Sequence, residues 1–205
     1  LVEKCIHYFS DDSSQIHTSC ALLLKAITKS SNVNQEIVGK LQEFSQTCFP
    51  SPDKAEPYLI DGSIIFWSSL VVNIMHNQEL FDHLFDFSCA YINSPENEVT
   101  TEFLMSLPTF LESEMFGQQH LEKFIPVLTE FLSYTSPDDE ESKIIIDAAI
   151  YSLTCLFIKL PETTQNSTLL TIWYSSLPLR GKKDPCFQKV YDVLVQLVSQ
   201  NNPII

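Results

Sequence analysis

Glycine is scarce in this chain. Gly39, Gly62, Gly117 and Gly181 are the only four among 205 residues, against an average usage of about 7%. Four scattered glycines exclude the glycine-rich loops that cradle phosphates, of the dinucleotide and the P-loop kinds alike. They also leave few of the tight turns that a β-sandwich needs. Basic residues are short as well: 12 Lys and Arg stand against 26 Asp and Glu, a formal net charge of −14. Duplex binding draws its affinity from cations that neutralise phosphates, so direct nucleic-acid binding is excluded. An anionic membrane surface is disfavoured for the same reason. A basic partner is favoured, because an acidic surface steers cations toward it. The plainer alternative is that the acidity keeps a helical protein in solution.

Long apolar runs are missing too. The longest, residues 59–75, is interrupted by Asp61, Ser68, Ser69 and Asn73 and does not read as a membrane span. The opening LVEKCIHYF has neither the basic nor the apolar region of a signal peptide. None of the six cysteines stands in a C-x-x-C pair, and Cys89 and Cys155 lie inside apolar helical runs. The expectation is a reducing, intracellular compartment. There the sequon Asn166-Ser167-Thr168 is a chance match. The five histidines form no H-E-x-x-H and the serines no nucleophile elbow. Cys5, His7, His17 and Cys20 are the only metal-like set, and Cys5 and His7 point to opposite sides of a helix. The sequence therefore predicts no enzyme, no catalytic residue, no metal and no cofactor.

What is present is hydrophobic residue at 44%, ample for a core, arranged with helical spacing. Residues 78–93 carry Leu80, Phe81, Leu84, Phe85 and Ile92, and residues 118–134 carry Leu121, Phe124, Ile125, Leu128, Phe131 and Leu132. Ser51-Pro52-Asp53, Ser94-Pro95-Glu96 and Ser136-Pro137-Asp138 recur as helix-start signals, with a looser Lys183-Asp184-Pro185 and with Asp11-Asp12 a further period upstream. Between them fall other breakers: Ser30-Ser31-Asn32, Asn77-Gln78, Gly117-Gln118 and Thr163–Asn166. Longer helices are expected over 56–76, 96–115, 139–159 and 186–200, with Pro108 and Pro126 kinking or breaking theirs. Two helices per period of about 40–47 residues is the HEAT pattern. The predicted fold is an all-α HEAT-repeat solenoid of antiparallel helix pairs stacked into a superhelix. It spans 1–205 as one unit, with approximate repeats 1–31, 32–76, 77–116, 117–160 and 161–205. The chain begins inside a helix without a methionine and reads as a piece of a longer solenoid. A closed helical bundle is the competing fold, disfavoured by the regular proline spacing.

A family resemblance accompanies this reading. Residues 169–179, LLTIWYSSLPL, resemble the V-L-P-x-W-L-S-W-L-P-L segment of importin-β superfamily receptors, of the branch carrying ribosomal proteins and histones. Trp173, Ser175, Leu177, Pro178 and Leu179 match; Ser176 and Thr171 depart from the pattern. DAAIYSLTCL at 147–156 is similar to the family's E-N-A-I-S-A-L-G-K-I helix, with Ala148 in place of Asn. LVSQNNPII at 197–205 resembles L-I-E-S-N-H-P-I-V, and FSCAYINSPENEV at 87–99 resembles L-Q-Y-V-C-D-N-S-P-E-V-R. The likeness extends over 80–205 and is architectural alone over 1–76. It implies a nuclear import receptor, a karyopherin-β, moving between cytoplasm and nucleus. Such receptors bind basic nuclear-localisation segments on the concave face and Phe-Gly nucleoporins on the convex face. They release cargo to Ran-GTP, whose main site lies in first repeats that this chain is expected to lack. The alternatives are a HEAT-repeat scaffold or adaptor of another assembly, and an enzyme on a helical fold.

In such a superhelix the second helix of each pair lines the concave face, which makes the polar stripes of the longer helices the candidate cargo site. The candidates are Asp61, Glu98, Glu102, Glu140, Asp147, Tyr151 and Asp192. Packed helices lie roughly 8–10 Å apart and an extended peptide advances roughly 3.3 Å per residue. A ladder of Asp61, Glu102, Asp147 and Asp192 would thus meet about every third residue of a basic peptide. Each exposed contact would contribute under about 1 kcal/mol and weaken with salt. Tyr151 beside these acids suits cation–π contact with Lys or Arg. Trp173 is expected to pack between repeats. Asp138-Asp139-Glu140-Glu141 reads either as a solvated helix start or as a grip on a basic partner.

Overall fold

Asparagine side chains start several of the helices. Asn34 accepts from the Ile37 N–H at 2.9 Å, Asn77 from the Leu80 N–H at 2.9 Å, and Asn166 from Thr168 and Leu169. Each satisfies N–H groups that an opening helical turn leaves without partners. A variant of the same device opens a fourth helix, where the Gly117 N–H donates to His120 Nδ1 at 3.0 Å. The computed structural model describes residues 1–9, 11, 13–30, 33–48, 57–92, 101–134, 140–180, 188–200, 202, 204 and 205. Among them it shows ten α-helices and no strand, so the protein is all-α. The Ser-Pro junctions at 51–53, 94–96 and 136–138 lie outside the described residues, as do Lys183-Asp184-Pro185, Asp12, Asp138 and Asp139.

The chain divides into two compact units, Leu1–Glu98 and Val99–Ile205. The first contains α1 (Val2–Tyr8), α2 (Ser14–Thr28), α3 (Gln35–Ser45), α4 (Pro57–Leu70) and α5 (Gln78–Ile92). Its largest interface joins α2 to α4; α1 packs on α2 and α3, and α4 packs on α5. An aromatic cluster fills the space between these helices. Phe9 lies 5.1 Å from Phe44 and 6.0 Å from Phe66, centroid to centroid, and Phe44 lies 5.5 Å from Phe66. The wholly buried His17 joins them, its Nδ1 donating to the Phe9 carbonyl. Gly62 of α4 comes so close to α2 that a Cβ there would overlap His17 Nε2.

α4 ends in an unusual way. Thr28 and Ser69 share a 2.5 Å hydrogen bond between α2 and α4, and Asn73 Nδ2 donates to the Ser69 carbonyl at 2.8 Å. That carbonyl would otherwise serve the backbone ladder. The helix continues as a π-helical turn, Val71–Met75, closed by the His76 N–H on the Val71 carbonyl at 2.8 Å. His76 then adopts a left-handed conformation, φ 49° and ψ 41°, a geometry that commonly terminates helices. Asn77, the next residue, already caps α5.

The second unit contains α6 (Thr101–Glu112), α7 (Gln118–Tyr134), α8 (Glu140–Lys159), a 3-10 turn (Pro161–Gln165), α9 (Ser167–Ser175) and α10 (Gln188–Ser199). α8 is its axis: α6, α7 and α10 all pack on it, and α7 also meets α9. Its stretch 146–157 is buried without interruption. Pro108 and Pro126 lie inside α6 and α7 without breaking them, contrary to one form of the expectation from sequence. At Pro108 the reason is visible. A proline at that position leaves the Leu104 carbonyl without its helical donor, and the Ser152 hydroxyl of α8 supplies one at 2.6 Å.

Candidate functional site

The residues expected to form an acidic ladder do not share one environment. Asp192 is exposed on α10, where Gln188 Nε2 donates to it at 3.0 Å. Asp61, Glu102 and Glu140 lie within α4, α6 and α8. Their side chains, and all of Glu98, fall outside the described residues. Asp147 and Tyr151 are corrections to the expected exposed stripe: they are 1% and 6% exposed. The spacing that puts Asp147, Tyr151 and Thr154 on one face of α8 is real, but that face meets protein and not solvent.

Asp147 has a structural task. Its two carboxylate oxygens accept from the Arg180 backbone N–H at 3.1 and 2.9 Å, tying α8 to the segment that follows α9. That segment includes the cis peptide Leu177–Pro178. A buried carboxylate needs such donors, because burial without them penalises its charge heavily. Asp147→Ala should therefore lower the stability of the second unit by about 1–3 kcal/mol, read as a shift of the urea midpoint. It should also speed amide exchange at Arg180. Unchanged exchange at Arg180 would show that this contact does not hold the segment.

Thr154 and Trp173 form a second internal pair on the same helix face. Trp173 is fully buried, donates from Nε1 to Thr154 Oγ1 at 2.9 Å, and stands edge-on to Phe157 at 5.7 Å. The hydroxyl satisfies the indole N–H that burial would otherwise strand. Trp173 is thus a packing residue joining α9 to α8.

Among the described residues, two of the concave surfaces have partly apolar linings. One lies between α1 and α3 and measures about 620 Å³. Ile6 and Phe44 give it an apolar lining, and Glu3, Lys40 and Glu43 a charged one. Lys40 bridges Glu3 at 2.7 Å and Glu36 at 2.9 Å. These bonds raise the Lys40 ammonium above its ordinary range, and the bond to Lys40 lowers the Glu3 carboxyl. The other, about 410 Å³, lies between the end of α8, the 3-10 turn and α10, with Phe157, Val193 and Leu197 beside Glu162, Gln165 and Gln196. Both are suited to receiving apolar side chains with polar contacts at the edge. The sequence reading placed no cargo candidate in either; His7, of the metal-like set, lines the first. Ile6 and Phe44 belong to different helices, and no spacing rule brings them together.

Of the metal-like set, Cys5, His17 and Cys20 are buried whereas His7 is exposed. Among the described residues no group of three or more His, Cys, Asp or Glu is arranged to hold a metal ion. None of the described helices is long and apolar enough to cross a membrane. The sequence matches no protein-family model and shows no significant similarity to a curated protein.

Proposed function

We propose that this chain is a segment of a HEAT-repeat solenoid from an importin-β-type nuclear import receptor. On this reading it binds basic nuclear-localisation segments, and in the whole protein it works with Phe-Gly nucleoporins and Ran-GTP. The observation that carries the solenoid reading is the alternation of helix contacts inside each unit. Besides the contacts between neighbours in the chain, α1 with α2, α4 with α5 and α7 with α8, even-numbered helices pack on even-numbered ones, α2 on α4, and α6 on α8 on α10. Odd-numbered helices meet odd-numbered ones, α1 with α3 and α7 with α9. Stacked helix pairs produce that pattern, because each pair must bury its faces against the next. In support, the ten described helices fall two to each of the intervals 1–31, 32–76, 77–116, 117–160 and 161–205.

The transport reading draws on the likeness over 80–205 and on the charge of −14. The groove between α1 and α3, two helices of the odd-numbered layer, has the room and the apolar lining to accept a phenylalanine side chain. Glu102 and Asp192 in the second unit, and separately Asp61 in the first, are the carboxylates carried forward for basic cargo. The test is binding of a labelled Lys/Arg-rich peptide to the full chain at low and raised ionic strength. Affinity should fall steeply with salt and fall further, several-fold, in the Glu102→Gln/Asp192→Asn double variant. Absence of binding at low salt, or binding indifferent to salt, would overturn the cargo reading.

A further inference from the structure

Two buried cysteines lie on the packed helices α1 and α2. Cys5 and Cys20 are 3% and 7% exposed, and both are free cysteines. α1 ends at Tyr8 and α2 begins at Ser14; packed helices joined by so short a connection run antiparallel. Their register is pinned where the His17 ring bonds the Phe9 carbonyl and stacks edge-on against the Phe9 ring at 4.4 Å. Cys5 lies one turn before Phe9, and Cys20 about one turn after His17. In an antiparallel pair those two steps lead to the same level. Burial, and then the neighbouring Cys5, push the Cys20 thiol up, in keeping with that register. The other described cysteines sit elsewhere: Cys48 just beyond α3, Cys89 on α5 and Cys155 on α8.

We propose that Cys5 and Cys20 form a reversible dithiol–disulfide site, oxidised by a small-molecule disulfide such as glutathione disulfide, which staples α1 to α2. Local opening of the interface between α1 and α2 presents Cys5 to solvent. The Cys5 thiolate attacks one sulfur of glutathione disulfide, forming a mixed disulfide and expelling one glutathione thiolate. The Cys20 thiolate then attacks the Cys5 sulfur and expels the second. Two protons pass from the cysteines to the two glutathiones, and the two electrons lost by the protein reduce the glutathione disulfide. Closing the staple holds Ile6 in place beside Phe44, so the groove between α1 and α3 is more firmly formed in the oxidised protein. Reduction by thiols returns the original state.

The experiment equilibrates the full chain in glutathione buffers of graded oxidation, alkylates the remaining thiols and maps peptides without reduction. A single linked peptide joining Cys5 to Cys20 should appear, vanish with excess thiol, and be absent in Cys5→Ser and in Cys20→Ser. In the cross-linked protein, amide exchange within residues 2–8 should slow by at least about tenfold. Both thiols remaining alkylatable in the most oxidising buffer would overturn the proposal. So would a cross-link from Cys5 to any other cysteine. Exchange in α1 that is unchanged by the cross-link would overturn the staple.

Discussion

Gly62→Ala should destabilise the first unit by about 1–3 kcal/mol, toward the upper end of what overpacking a core costs. The new Cβ would overlap His17 Nε2 and Cδ2, far inside contact distance. An exposed imidazole would swing away at small cost. This one is wholly buried and is held at Nδ1 by the Phe9 carbonyl, with the Phe9 ring against its face. Relief therefore requires α4 to move off α2 across the largest interface of the unit. Trp67 lies five positions along α4 from Gly62, so urea unfolding followed through its fluorescence reports on the right helix. The cause is separable by a double-mutant cycle. In a His17→Ala background the clash is gone, and Gly62→Ala should cost much less. An equal cost in both backgrounds would place the strain elsewhere.

Ser152→Ala should destabilise the second unit by about 1–3 kcal/mol, more than the loss of an ordinary serine hydroxyl. The Leu104 carbonyl loses its helical donor because Pro108 has no N–H, and both Leu104 and Ser152 are buried. Removing the 2.6 Å bond from Ser152 Oγ leaves that oxygen without the donor that replaces it. Pro108→Ala restores an N–H four residues on, so Ser152→Ala should become nearly neutral in that background. The measurement is the urea midpoint of the four chains followed through Trp173, which is buried in the same unit. The interaction between the two sites should be about 1 kcal/mol or larger. Strictly additive effects would remove the link between the proline and the serine.

Much of the helical layout is legible in the sequence, and the reason is local chemistry. The expected helices at 78–93 and 118–134 are observed as Gln78–Ile92 and Gln118–Tyr134. Their starts depend on Asn77 and on Gly117 with His120, groups that bond within three residues of themselves. The candidate site was much less legible, because its residues act over long separations. Asp147 finds its donor 33 positions away, Trp173 its acceptor 19 away, and the Leu104 carbonyl its hydroxyl 48 away. Periodicity groups Asp147, Tyr151 and Thr154 on one side of α8. It does not say whether water or another helix lies on that side. α8 is enclosed by α6, α7 and α10, so Asp147, Ser152 and Thr154 are internal fasteners, whereas the same kind of spacing leaves Asp192 on α10 in solvent. The groove between α1 and α3 carries no sequence signal, since its walls come from helices that neither adjoin nor repeat a motif.

The reversal from α4 to α5 uses two residues, each with a separate duty. His76 bends the backbone to the left, and Asn77 opens the following helix. Losing either would remove the stop or the start, and adding one would separate them. A one-residue insertion or deletion at this junction should therefore disrupt the join of α4 to α5.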